Sequence, residues 1–200
     1  MEPMDKRFFK QSTLQLAINL LGKTLVKESD AGVTAGKIVE TEAYKGPHDR
    51  AAHSFNNRRT KRTEVMFGPS GYTYTYVMHT HCLVNVVSAE VGQPEAVLIR
   101  AIEPLVGIDL ILARRGEGKA LHELTNGPGK LTKAMGIDIT DYGLPLFEKP
   151  LFIADGDGIA PEEISKGPRI GIENSGEAKD YPWRFWIANN QFVSRYRRKK

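Results

Sequence analysis

Residues 33–47 read Val-Thr-Ala-Gly-Lys-Ile-Val-Glu-Thr-Glu-Ala-Tyr-Lys-Gly-Pro, and the fold turns on this stretch. Val33 to Thr41 is strand-like, and so is Thr24 to Val26 before it. Ser29-Asp30-Ala31-Gly32 lies between the two and supplies a hairpin turn signal. Side chains on a strand alternate faces, so Glu40, Glu42 and Tyr44 fall on one face at the strand's C-terminal end. Glu42 and Tyr44 stand where the strand meets a long loop, a common place for a working site. A carboxylate beside an aromatic ring can hold a water and stack a flat substrate. The same residue types are also ordinary on the surface of an edge strand, and the spacing alone leaves both readings open.

Upstream, residues 1–11 form an irregular lead-in that is expected to be flexible. Ser12 with Gln15 reads as a capping box, and Leu14, Ala17, Ile18 and Leu21 recur at helical spacing. A helix is therefore expected over about 13–21, stopped by Gly22. Downstream, the polar run from Lys45 to Ser70 is too long for an ordinary connection. Tyr72 to Met78 and Asn85 to Ser88 read as strands, joined by a protruding hairpin with His79-Thr80-His81 near its end. Tyr72, Tyr74 and Tyr76 alternate with threonine on one face, either as a cross-strand aromatic ladder or as a stacking platform for bases. Ala96 to Ile102 is a further strand ended by Pro104, and Leu105 to Ala113 reads as a helix. Asn126-Gly127-Pro128 opens another helix to about Met135, with Asn126 as cap. Its backbone N–H groups and Lys130 offer an anion anchor. Leu151 to Ala154, Arg169 to Ile172 and Phe185 to Ala188 complete the strands. Helices do not alternate regularly with strands. The expected fold is thus α+β: one compact domain over residues 1–200, with a mixed, mostly antiparallel curved sheet, a protruding hairpin and surrounding helices.

Composition narrows the function. The 200 residues carry 28 Lys and Arg against 24 Asp and Glu, a formal charge of +4. The basic residues cluster at Arg58, Arg59, Lys61 and Arg62 and in the tail from Arg195 to Lys200, which suits phosphate contacts or a solvated face equally well. No apolar run spans a bilayer, no secretory leader is visible, and the single cysteine, Cys82, points to a reducing, intracellular compartment. No HExxH, Cys-x-x-Cys, P-loop, GxSxG or strand-following GxGxxG pattern is present. A zinc hydrolase or deaminase is therefore rejected, and no metal or cofactor is expected.

Taken in order, Ile38–Tyr44 (IVETEAY), Gly46-Pro47, Asp49, Ala51–Ser54 (AAHS), Met66-Phe67, Tyr74-x-Tyr76, Asn85, Leu98–Ala101 (LIRA), Glu103–Leu105, Asn126–Pro128 with Lys130-Leu131, and Pro168-Arg169 resemble the alkyladenine (3-methyladenine) DNA glycosylase family. The matching strings run from about residue 13 to 195. The resemblance implies a monofunctional glycosylase without lyase activity, monomeric, acting on double-stranded DNA that contains alkylated or deaminated purines. Such substrates are 3-methyladenine, 7-methylguanine, hypoxanthine and ethenoadenine. It places Glu42 at the general-base position and Arg100 beside the water. Tyr44, His53 and Tyr76 fall at the positions that sandwich the flipped base, and Asn85 at the one that crowds guanine's exocyclic amine. The segment Arg169-Ile170-Gly171 falls where a backbone carbonyl, assigned to Ile170, meets the water. Arg58, Arg62, Asn126, Gly127 and Lys130 are the expected phosphate contacts.

One departure stands out. The family's hairpin tip usually inserts a tyrosine; here that position is His79, the segment from Tyr74 to Asn85 is one residue shorter, and the wedge is His79 or Met78. The competing readings are a non-catalytic damaged-DNA binder on the same scaffold and a general RNA-binding or small-molecule-binding module.

Overall fold

The structure is a computed structural model that describes residues 1–194, so the basic tail Arg195, Arg197, Arg198, Lys199 and Lys200 lies outside the described residues. It contains eight strands: β1 (Thr24–Ser29), β2 (Gly32–Tyr44), β3 (Thr73–Met78), β4 (His81–Ser88), β5 (Glu95–Val106), β6 (Leu151–Ala154), β7 (Ile164–Gly167) and β8 (Arg184–Ile187). The helices are α1 (Thr13–Asn19), α2 (Ile108–Arg115) and α3 (Pro128–Met135). The fold is α+β as expected, and the mostly antiparallel sheet proves antiparallel at every strand pairing among the described residues.

The strands form one open sheet in the order β3-β4-β5-β2-β1-β6, with β8 also pairing with β2, and β7 with β8. The 13-residue β2 is its spine. Along one edge it pairs with β5. Along the other it pairs with β1 over its first half, then with β8 from Glu40 to Glu42. That change of partner happens beside a double irregularity in the β2–β5 register. Ile38 faces Ile102 and Glu40 faces Ala101, so Val39 is extra on β2; Thr41 then faces Ile99, so Arg100 is extra on β5. Bulges of this kind bend a strand and re-aim its side chains. Here they turn Arg100 toward the acidic face of β2.

Several expected elements differ from those observed. Helix α1 ends at Asn19, and Ser12 Oγ does accept from Gln15 N–H at 3.4 Å. The reciprocal bond of a capping box, from the Ser12 N–H to the Gln15 side-chain oxygen, is not made, and the Gln15 amide nitrogen donates to Asn19 Oδ1. β5 does not stop at Pro104. Pro104 sits opposite Gly36 at a register shift that leaves Leu105 unpaired, a place where a missing N–H costs no ladder bond, and Val106 re-enters the pairing opposite Ala35. Helix α2 consequently starts at Ile108, after Gly107 at φ 74°. Asn126 does not cap α3: the N-cap is Gly127, and the Asn126 amide oxygen accepts from Lys130 Nζ at 2.6 Å. Arg169 to Ile172 is a loop, not a strand. The strand that pairs with β8 lies just before it, at Ile164–Gly167.

The main core lies between the sheet and α1 and α3, with Leu16, Leu20, Ile38, Val84, Val97, Ile99, Leu131 and Met135 in one apolar cluster. The lead-in joins it. Residues 6–9 form a short 3-10 helix, and Phe9 is fully buried against Phe147, with ring centroids 6.1 Å apart. Gly71 closes over Phe9, because a Cβ there would stand 2.9 Å from the Phe9 ring. A segment expected to be loose therefore supplies a core residue. Phe9→Ala should destabilise the protein by about 3–5 kcal/mol, read from a urea or thermal unfolding curve. A wild-type midpoint would show that the lead-in contributes nothing to the core.

Candidate active site

The opposite face of the sheet carries the polar chemistry. Glu40, Glu42 and Tyr44 share a face of β2, as their spacing requires, and both carboxylates are fully buried. A buried carboxylate is tolerated only when its oxygens are satisfied. Every hydrogen bond described at Glu42 is one in which it accepts. Oε2 takes the Tyr44 hydroxyl at 2.8 Å and Arg100 Nη1 at 3.2 Å, while Oε1 takes the Ile170 backbone N–H at 2.7 Å. Burial first, and then the Glu42 charge, push the Tyr44 phenol well above its ordinary range, so it remains a donor.

Arg100, Tyr44 and Ile170 also line a cavity of about 310 Å³, at the small end of the range for small-ligand sites. Its other walls include His53, Tyr74, Tyr76, Met78, Asn85 and Pro128. Glu42 lies immediately behind this wall, held by three of the residues that form it.

The aromatic walls interlock. The His53 ring meets Tyr76 edge-on at 4.6 Å between centroids, and its Nδ1 is 2.8 Å from the Tyr74 hydroxyl. Tyr74 and Tyr76 lie 5.3 Å apart on one strand face. His53 reaches this position because its loop is drawn onto the sheet. Ser54 Oγ donates to Pro94 O at 2.7 Å, and Gly46 leaves room for this hydroxyl, since a Cβ there would collide with Ser54 Oγ. Asn85 donates its amide to the Tyr74 carbonyl at 2.9 Å, which fixes its side chain at the wall.

A second buried pair braces the site from behind. Arg169 and Asp49 are both fully buried and paired through two nitrogens and two oxygens. Arg169 also donates to the Ala43 carbonyl, and its guanidinium lies 4.7 Å from the Tyr44 ring and 5.1 Å from the Trp183 ring. Asp49 in turn accepts from the backbone N–H groups of Lys45 and Ala51. Strand end, following loop and the Ile170 loop are thus fixed to one another. Sequence reasoning quoted Asp49 and Arg169 inside matching strings and gave neither a role. It passed over Glu40's partner Arg184 altogether, for which no local signal existed, and left Tyr74 between a cross-strand ladder and a stacking platform for bases.

The remaining expected residues divide. His79 and Met78 are exposed at the hairpin end, His79 at φ 51° in a two-residue turn, and Met78 also lines the cavity. Arg62 approaches the Tyr76 ring at 5.9 Å from the solvent side, and Arg58 is exposed nearby. Asn126 is buried and occupied by Lys130, so this group meets the solvent through Lys130 and the start of α3. Ile170 contributes its N–H to Glu42. Among the described residues no group of three His, Cys, Asp or Glu side chains could hold a metal ion, and no helix is long and apolar enough to cross a membrane.

Comparisons with known proteins agree with one another. Residues 7–191 match the family model described as methylpurine-DNA glycosylase. A protein of Bacillus subtilis is 60% identical over 193 residues, 96% of this chain and 97% of its own length. Relatives in Bacillus licheniformis and Oceanobacillus iheyensis are 59% and 54% identical over 194 residues, covering 97% of this chain and 97% and 96% of their own lengths. All three carry the name "Putative 3-methyladenine DNA glycosylase". The class is therefore that of the DNA glycosylases, hydrolases of base-excision repair. Within it, the chain belongs to the methylpurine-DNA glycosylase family.

Burial above all, and then the nearby Arg62 and Arg58 charges, bring the His53 pKa down to about 4. The sign follows from linkage. The folded protein holds His53 neutral while the unfolded chain protonates near the ordinary value of about 6.5, so this contribution to stability is complete above that pH and is lost as pH falls toward 4. An NMR titration of the imidazole should place it near 4, and Arg62→Ala should raise it. An unmoved midpoint in that variant would remove Arg62 from the electrostatics of the cavity.

Proposed function

We propose that this enzyme extrudes an alkylated or deaminated purine from duplex DNA into the 310 Å³ cavity and hydrolyses its N-glycosidic bond with a water activated by Glu42. The observation that carries this reading is the placement of one buried carboxylate, ringed by donors, directly behind an aromatic-walled cavity.

A base within the stack hides its sugar–base bond, so excision needs extrusion, which costs a few kcal/mol and least at damaged pairs. Met78 or His79 would enter from the exposed hairpin end to fill the gap. Arg58, Arg62, Lys130 and the Asn126-Gly127 start of α3 would hold phosphates without reading sequence. In the cavity Tyr44, His53 and Tyr76 present ring faces and edges to the base, and Asn85 narrows the space for guanine's amine. A cationic methylpurine gains attraction from the tyrosine faces, about 1–2 kcal/mol when desolvated. One face of Tyr44 already carries Arg169, so Tyr76 and the free face of Tyr44 supply that term.

Glu42 takes a proton from water as oxygen attacks the anomeric carbon, and its charge stabilises the oxocarbenium-like sugar as the base departs. Arg100 and the Ile170 N–H orient the carboxylate for this. Lys45, the lysine nearest in sequence, places its ammonium over the Trp183 ring at 5.9 Å, which supports hydrolysis over Schiff-base chemistry. The substrates we assign are 3-methyladenine, which the relatives' names carry, with 7-methylguanine, hypoxanthine and ethenoadenine. The working form we assign is an intracellular monomer without metal or cofactor.

Glu42→Gln should lower single-turnover excision of hypoxanthine by about 10²–10⁴-fold while lesion-duplex affinity stays close to wild type. Excision at the wild-type rate would remove Glu42 from the chemistry.

A further inference from the structure

Glu42 shares its strand face with a second buried carboxylate that neither lines the cavity nor touches anything that does, except Arg100. Glu40 Oε1 accepts from Arg184 Nε at 2.7 Å and from Arg100 Nε at 3.3 Å, and its Oε2 accepts from the Ser194 backbone N–H at 2.8 Å. Arg100 therefore spans two carboxylates, giving Nε to Glu40 and Nη1 to Glu42. Arg184 sits opposite Glu42 in the β2–β8 register, with its guanidinium 4.4 Å from the Trp186 ring. Two anions and two cations, drawn from β2, β5 and β8, thus form one buried cluster that sums to zero. Holding a base would require neither Glu40 nor Arg184.

We propose that Glu40 and Arg184 are positioning residues that set how strongly Glu42 accepts a proton, by dividing Arg100 between two carboxylates. The other groups facing Glu42 leave this division in control. Tyr44 on β2 and Tyr76 on β3 are phenols whose burial pushes them up, Tyr76 to about 12, and Arg169 in the loop after β7 is matched by Asp49. While Glu40 is charged, Arg100 is shared and a like charge stands beside Glu42, and both conditions favour proton uptake. Removing that charge gives Arg100 to Glu42 alone and leaves Arg184 without its anion, so Glu42 becomes a weaker base. Removing Arg184 acts in the opposite direction, because Glu40 then draws harder on Arg100.

This rests on the reading of Glu42 as the base, and the test separates the two. Single-turnover excision from a hypoxanthine duplex is measured against pH for wild type, Glu40→Gln, Arg184→Met and the double variant, with Glu42→Gln alongside. In Glu40→Gln the acid limb should move down by about one pH unit and the plateau rate should fall about tenfold. In Arg184→Met the limb should move up by about as much. The double variant is charge-balanced again and should fold, but Arg100 still faces Glu42 alone, so its limb should lie below the wild-type position and be displaced less than in Glu40→Gln. Unmoved limbs in the single variants, or a double variant whose limb stands at the wild-type position or which does not fold, would assign the cluster to structure alone and overturn the proposal. If a single variant does not fold, the double variant decides. Excision by Glu42→Gln would instead sink the reading of the base itself.

Discussion

Two carboxylates, Glu40 and Glu42, extend from the same face of one interior strand, and neither is exposed to solvent. Ionised groups removed from water are tolerated only when paired and hydrogen-bonded. That requirement organises much of the surrounding structure. β5 must bring Arg100, β8 must bring Arg184, and the loop after β7 must bring the Ile170 N–H. The paired bulges at Val39 and Arg100 and the change of partner along β2 are the backbone features that make room for them. The same bulges shape the apolar core on the other side of the sheet, where the consecutive residues Ile38 and Val39, and Ala101 and Ile102, are buried together.

The cavity inherits its rigidity from this arrangement. Tyr44 is tied by its hydroxyl to Glu42 and by its ring to Arg169. His53 is tied to Tyr74, and Asn85 to the Tyr74 carbonyl. Each of these wall residues therefore has a contact that holds it without help from a ligand. A site preorganised in this way acts on a developing charge without rearranging at the moment of reaction. The hairpin end is different: Val77, Met78, His79 and Thr80 are exposed, as the wedge role proposed for Met78 or His79 requires.

Much of this was legible in the sequence where chemistry is local. The alternation Glu40, Glu42, Tyr44 announced a shared face, and Tyr74 and Tyr76 did the same on β3. Of the residues far apart in sequence that match one family's strings, Tyr44, His53, Tyr76, Asn85 and Arg100 line one cavity, and Glu42 stands behind its wall, bonded to Tyr44 and Arg100. What stayed hidden depends on register and packing. Pro104 reads as a strand end because proline lacks an N–H, but a bulge removes the need for one. Arg169 looked like a strand residue and is a loop residue held by a buried aspartate 120 positions away. Arg184 carries no pattern at all; its importance comes from standing opposite Glu42 across two strands that the sequence does not mark as neighbours. Phe9 sits in a segment without periodicity, and only the cover supplied by Gly71 reveals it as core.

The central claim concerns where a purine goes and which side chain it finds there. A crystal structure of the Glu42→Gln variant bound to a duplex containing hypoxanthine tests it most directly. The base should be rotated out of the helix and seated among Tyr44, His53 and Tyr76, with the anomeric carbon of its sugar facing side chain 42 and one water between them. A hypoxanthine still stacked in the duplex, or an extruded base lodged outside that cavity, would contradict it.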